Sequence, residues 1–139
     1  MPRKIIKIGL AVVQDGRLLL VRKRGTDCYI LPGGKPERGE DDLTALRREL
    51  REELGCTLNP SHVCYLGAFH DRAAGLSDTD VVVKLYAGTL DGDPSPLAEI
   101  EQLMWFDPHT RANLKLAPSL SNSIVPYLFQ TSRVTQRSH

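Results

Sequence analysis

The sequence predicts an α/β domain, a mixed β-sheet covered on both faces, and three observations lead there. Runs of branched apolar residues at strand length recur at KIGLAVV, RLLLVRKR, HVCYLGAFH and DVVVKLYAGTL. One segment, from about Asp41 to Leu54, has helical periodicity instead. A second helical pattern, LSNSIVPYLFQ, lies near the end of the chain. Strands flanking one strong helix, with another helix to follow, are best buried as a sheet between helical layers. With 139 residues, the chain supplies a single core. One domain is expected over residues 1–130, and the polar stretch TSRVTQRSH, residues 131–139, is expected to fray.

Taken in order, KIGLAVV and RLLLVRKR read as the arms of a β-hairpin. Asp15-Gly16 between them is a favoured type I′ turn. The second arm is apolar on both faces until Arg22, which predicts burial. CYILPGGKPERGE reads as a short strand followed by a glycine- and proline-rich loop. The helix then runs to Leu54, with Gly55 as its stop signal. HVCYLGAFH and DVVVKLYAGTL are two more strands, and DRAAGLSDT is the loop between them. LDGDPSPLAE is turn-rich and QLMWF is a short strand, its Trp105 and Phe106 read as core residues. Asp107-Pro108 is expected to start a short helix, and the last helix is expected to form despite Pro126.

Composition excludes several classes of partner. A formal net charge of +1 gives no reason to expect a nucleic-acid or acidic-membrane surface. No stretch approaches the ~18 apolar residues that a membrane span needs. The apolar N-terminal run is broken by Lys7 and lacks a small-residue cleavage site, so it reads as a strand and not as a signal peptide. The three cysteines, Cys28, Cys56 and Cys64, form no CxxC pair and read as reduced thiols of a cytoplasmic protein.

The acids of the helix are crowded. RRELREEL, Arg47 to Leu54, places Glu49, Glu52 and Glu53 within five residues. At about 100° per residue, Glu52 falls near −60° and Glu53 near +40° from Glu49, so all three share a face with Asp42 and Ala45. Leu43, Leu46, Leu50 and Leu54 form an apolar stripe beside them. A solvated charged face is the ordinary reading of such a helix, and Arg48 with Glu52 is an ordinary i,i+4 pair. The upstream Gly33-Gly34 alters that balance. Glycines there permit positive φ and bring a backbone carbonyl close to a ligand. Carboxylates plus a carbonyl make a hard-oxygen site suited to Mg²⁺ or Mn²⁺.

Gly34, five residues, Glu40, seven residues, then REL-REEL-G through Gly55 resembles the Nudix box of the Nudix hydrolases. Cys56 departs from the larger aliphatic residue usual there, at a packing position. The resemblance implies an α/β/α sandwich with a central mixed sheet. It also implies hydrolysis of a nucleoside diphosphate linked to another group, with Mg²⁺ or Mn²⁺. By position, Glu52 and Glu53 would be the main metal ligands, and Glu49 a further ligand or the base that activates water. Arg48 would orient Glu49, with Glu40 as its partner, and the Gly33 carbonyl would complete the metal shell. Gly34 and Gly55 would support the site.

Outside the box, Glu99 is the first candidate for a fourth acid and Glu101 the second. Arg22 or Arg24 is a candidate phosphate ligand, with a solvated strand end as the alternative; Lys35 has the same status. Asn122 or Ser121 is a candidate base contact, with a helix cap as the alternative. The proline and the tyrosine that mark ADP-ribose and dinucleoside polyphosphate subfamilies are both missing downstream, where Asp71 through Ala74 stand. By elimination the chain is similar to MutT-type nucleoside triphosphate pyrophosphohydrolases, some of which prefer oxidised purines. Hydrolysis of ADP-ribose, another nucleotide sugar or a dinucleotide is the alternative, and a non-catalytic nucleotide-sensing module is the reading from another class. The expected partner is a small nucleotide. The resemblance allows a homodimer, although no stretch marks a partner surface.

Overall fold

A computed structural model describes residues 3–73, 78–110 and 114–129. The elements are β1 (Arg3–Ala11), β2 (Val13–Gln14), β3 (Arg17–Lys23), β4 (Gly33–Gly34), helix α1 (Asp42–Leu54), β5 (Thr57–Arg72), β6 (Thr79–Asp91) and β7 (Ile100–Phe106). A last helix, α2, covers residues 118–129 and is wound as a π-helix over Leu120–Ile124. The polar tail and the middle of the expected DRAAGLSDT loop lie outside the described residues.

Two sheets make the central layer. One has the order β4-β1-β6-β5 and is mixed: β1 runs parallel to β6, while β4 and β5 pair antiparallel to their neighbours. The other has the order β2-β3-β7 and is antiparallel. Side chains alternate between two cores. Leu19 and Val21 of β3 pack with Leu46, Leu50 and Leu54 of α1. Leu18 and Leu20 pack on the opposite face with Leu120 and Ile124 of α2. All four β3 side chains are fully buried, as an arm apolar on both faces requires. Each such burial is worth roughly 1.5–3 kcal/mol. The molecule is therefore an α/β sandwich with helices on both faces. Trp105 packs on the α1 side and Phe106 on the α2 side.

The hairpin is shorter than expected. Its turn is type I′, with Asp15 at φ 52° and Gly16 at φ 75°, but within the ladder only Val13 and Gln14 pair with β3. KIGLA leaves for the other sheet, where β4 and β6 take both of its edges. A lone two-stranded hairpin is marginal, and a strand partnered on both edges is not. Asp107-Pro108 likewise starts no helix among the described residues. Asp107 closes a turn by accepting from the His109 and Thr110 N–H groups. From Leu114 to Ala117 the chain lies beside Tyr29, which donates to the Lys115 carbonyl and accepts from the Ala117 N–H. In α2 the π turn, closed by Val125 N–H to the Leu120 carbonyl, sits immediately before Pro126. A proline has no N–H to continue a regular ladder, and a wider turn absorbs the break.

Candidate active site

Helix α1 is held firmly at both ends. Asp41 Oδ1 accepts from Thr44 N–H at 2.8 Å, and Gly55, at φ 69°, donates to the Arg51 carbonyl at 3.1 Å. The helix lies over β4 because β4 is two glycines. Gly33, at φ 139°, has no room for a Cβ against the Ile8 carbonyl. Gly34 does not need positive φ; it is required for closeness, since a Cβ there would sit 2.7 Å from the Glu49 carboxyl carbon.

The crowded acids divide into three environments. Glu53 is only 2% exposed. Its Oε1 accepts from Gly33 N–H at 3.1 Å, while Oε2 is buried without a hydrogen bond among the described residues. Burial pushes its carboxyl up to about 7 against the pull of the Gly33 N–H, and the Glu49 charge adds to the rise. Glu52, by contrast, is 56% exposed at its side chain. Glu49 lies between, its Oε1 taken by Arg48 Nη1 at 3.0 Å. Asp42, expected on the same face, is held elsewhere by the Tyr86 hydroxyl at 2.8 Å and by Lys84. Ala45 is fully buried in the core with Leu46 and Leu50.

Arg48 is the hub of the polar cluster. It grips Glu40 through two bonds, Nε to Oε2 at 2.8 Å and Nη2 to Oε1 at 2.9 Å. Its Nη2 also donates to the Lys35 carbonyl, and its Nη1 reaches Glu52 at 3.5 Å. A planar fork matched to a carboxylate is the strong form of this contact. Arg48, with the Glu37 backbone N–H, holds Glu40 down to about 2.

Beside this cluster opens a cavity of about 500 Å³. Glu49, Gly34, Arg48, Lys35 and Glu99 line one part, and Leu31, Val81, Val83, Leu120 and Ile124 line an aliphatic floor. Several predicted residues are not in its lining, Gly33, Glu40, Glu52 and Glu53 among them. Arg22 is held by Glu101 at 2.7 Å, by Gln102 and by the Thr26 carbonyl. Glu101 is therefore occupied away from the glutamates. Arg24 is exposed, and Asn122 donates to Asp71 Oδ2 at 2.9 Å. Glu99 does line the cavity, paired with Lys23 at 3.2 Å.

Five polar lining residues escaped the sequence reading: Lys7, Lys23, Glu37, Arg72 and Ser119. Lys23 points to the opposite side of β3 from Arg22 and Arg24, and it alone of the three lines the cavity. Ser119 is 4% exposed at the start of α2, and its hydroxyl makes no capping bond. Lys7 had a visible signal, the break in an apolar strand pattern. It is half-buried, and burial, together with Lys23, holds its ammonium below the usual lysine range.

The fit of a divalent cation rests on this arrangement. Among the described residues no three acidic, histidine or cysteine side chains converge on one point. A buried carboxylate oxygen without a partner nonetheless requires one. Its neighbours, Glu49 and the rotatable Glu52, are the hard-oxygen donors such an ion takes. The residues present fit the group.

Comparison with known proteins gives concordant results. Residues 5–128 match the NUDIX domain family. The chain is 47% identical over 62 residues to the RNA pyrophosphohydrolase of Halorhodospira halophila, covering 44% of this chain and 33% of that protein. It is 35% identical over 99 residues to the oxidized purine nucleoside triphosphate hydrolase of Danio rerio, covering 69% of this chain and 62% of that protein. Each match therefore spans less than two thirds of the relative. Among solved structures, the MutT NUDIX hydrolase of Burkholderia pseudomallei superposes with a TM-score of 0.71 at 26% identity, covering 86% of this chain and 95% of the other.

Proposed function

The chain belongs to the Nudix family, and on that premise we propose that it is a hydrolase, namely a nucleoside triphosphate pyrophosphohydrolase. It would release a nucleoside monophosphate and pyrophosphate, with oxidised purine nucleotides as candidate substrates. The family depends on divalent metal, here proposed to be Mg²⁺ or Mn²⁺. The observation that carries the reading is the unpartnered, buried Oε2 of Glu53, on the helix whose Arg48 and Glu49 line the cavity.

Glu53 and Glu52 would hold the metal, with Glu49, Glu99 and the Gly33 carbonyl as further ligands. Bound there, the ion supplies charge neutralisation of the phosphates and Lewis acidity toward water. The Gly33 N–H pins Glu53 Oε1 and leaves Oε2 to the ligand. Arg48 occupies Glu49 Oε1, so Oε2 of Glu49 is the atom left to take the proton of the attacking water. Glu40 keeps Arg48 in that orientation. Lys35 would bind a phosphate, and the aliphatic floor with Ser119 would receive the nucleoside.

The substrate class follows the Danio rerio relative, whose match is spread over more of this chain than that of the Halorhodospira halophila relative. A panel of nucleoside triphosphates, oxidised purine triphosphates, sugar nucleotides, dinucleotides and 5′-triphosphorylated RNA, assayed with Mg²⁺ and with Mn²⁺, is the test. Release of pyrophosphate from the triphosphates above all others is the expected result. Preference for another class would replace the substrate. No turnover of anything, with binding retained, would leave a sensing module.

A further inference from the structure

Lys7 stands where a lysine has no structural reason to be. It projects from β1 on the face that carries Ile5 and Ala11, beside Val81 and Val83 of β6, all part of the α2-side core. Apart from Arg3 at the exposed start of the strand, the rest of that face is apolar. Lys7 is half-buried, and its ammonium makes no hydrogen bond or salt bridge to any described residue. Lys23, on the same cavity, has Glu99 to match its charge. Lys7 has no such match: it lies in a field set by Lys23 and Lys35 on the one hand and by Glu53 and Glu49 on the other. A partly desolvated ammonium without a partner is costly, and a leucine or valine would complete the apolar face more cheaply.

We propose that Lys7 is a substrate-binding residue that takes a phosphoryl oxygen of the diphosphate where the phosphates meet the aliphatic floor. The proposal rests on the reading of the cavity as the substrate site, but not on which nucleotide enters it. An ammonium on a flexible stem reads charge and not shape, so Lys7 would grip any diphosphate and leave base choice to the floor. It would work with Lys23 and Lys35 against the repulsion that the glutamates exert on the same phosphates.

Lys7→Met, Lys7→Arg and a control, Lys4→Met, distinguish the possibilities. Lys4 is exposed on the same strand and does not line the cavity. Calorimetric titration with inorganic pyrophosphate in Mg²⁺ should show affinity roughly tenfold or more lower in Lys7→Met, as expected for losing a charge-assisted hydrogen bond. Lys7→Arg should keep most of the affinity and Lys4→Met all of it. In turnover, Lys7→Met should raise KM by a similar factor for every nucleobase, with kcat far less affected. Its thermal midpoint should be no lower than wild type, because the substitution completes an apolar face. Unchanged pyrophosphate affinity, a loss confined to one base, or a lower midpoint with unchanged binding would each overturn the assignment. Should wild type turn over no nucleotide yet bind pyrophosphate through Lys7, the substrate reading falls and this one stands.

Discussion

Arg48 and Glu53 stand five residues apart on one helix and are solved in opposite ways. Arg48 has its donors directed at Glu40, Glu49, Glu52 and the Lys35 carbonyl. Glu53 is more deeply buried but has, among the described residues, a single partner, the Gly33 N–H. The environments push the carboxyls in opposite directions, Glu40 down to about 2 and Glu53 up to about 7. A cluster whose groups satisfy one another holds a shape. A buried group left half-satisfied holds a place for something else, and the fold is less stable for it until that ligand arrives.

The contrast predicts substitutions of opposite sign, and the largest effect belongs to Glu53. Glu53→Gln should lower kcat by roughly a hundred- to a thousandfold or more, while circular dichroism shows the fold intact. A variant with wild-type turnover would remove Glu53 from the site.

Next in size is the pH dependence of the metal-free protein. A carboxyl raised from 4.5 to about 7 makes the native state hold its proton longer than the unfolded chain does. Its contribution is fully present below pH 4.5 and is lost as pH rises to about 7, a change on the order of 3 kcal/mol. Glu53→Gln does not titrate, so the stability difference between variant and wild type should move in the variant's favour by that amount between pH 4.5 and 8. Denaturant melts at the two pH values measure it directly. Parallel pH profiles would show that Glu53 is not a strained group.

Arg48→Ala should reduce kcat by roughly ten- to a hundredfold, with a smaller change in KM, as expected for a residue that orients another. An effect confined to KM would make Arg48 a substrate ligand. Glu40→Gln should cost less activity than Arg48→Ala, because the other partners of Arg48 remain. Its signature lies at acid pH. The Glu40 pair stabilises the fold above about pH 4.5, and that contribution is lost as pH falls toward about 2. Wild type should therefore lose its advantage over Glu40→Gln on acidification, the reverse of the Glu53 pattern.

The chain's local grammar was legible. Asp41 and Gly55 bound α1, Asp15-Gly16 makes the I′ turn, and Leu18 to Val21 are buried on both faces as their composition demands. Sequence spacing also brought Glu49, Glu52 and Glu53 to one side of one helix. It did not separate them, since a helical wheel does not say how deeply a neighbouring strand sits. Lys7 was visible as a break in a strand pattern, but the pattern alone could not say that a cavity lies beside it.

The sequence by itself determined the helix, its caps, the glycine pair and the order of the acids, because these depend on contacts between residues close along the chain. Only the tertiary structure decided which acid is buried, which cation faces the cavity, and that KIGLA abandons its hairpin partner for a second sheet. Those outcomes depend on β4, β6, β7 and α2 arriving from distant parts of the chain, where burial and charge are set by neighbours that no local pattern records.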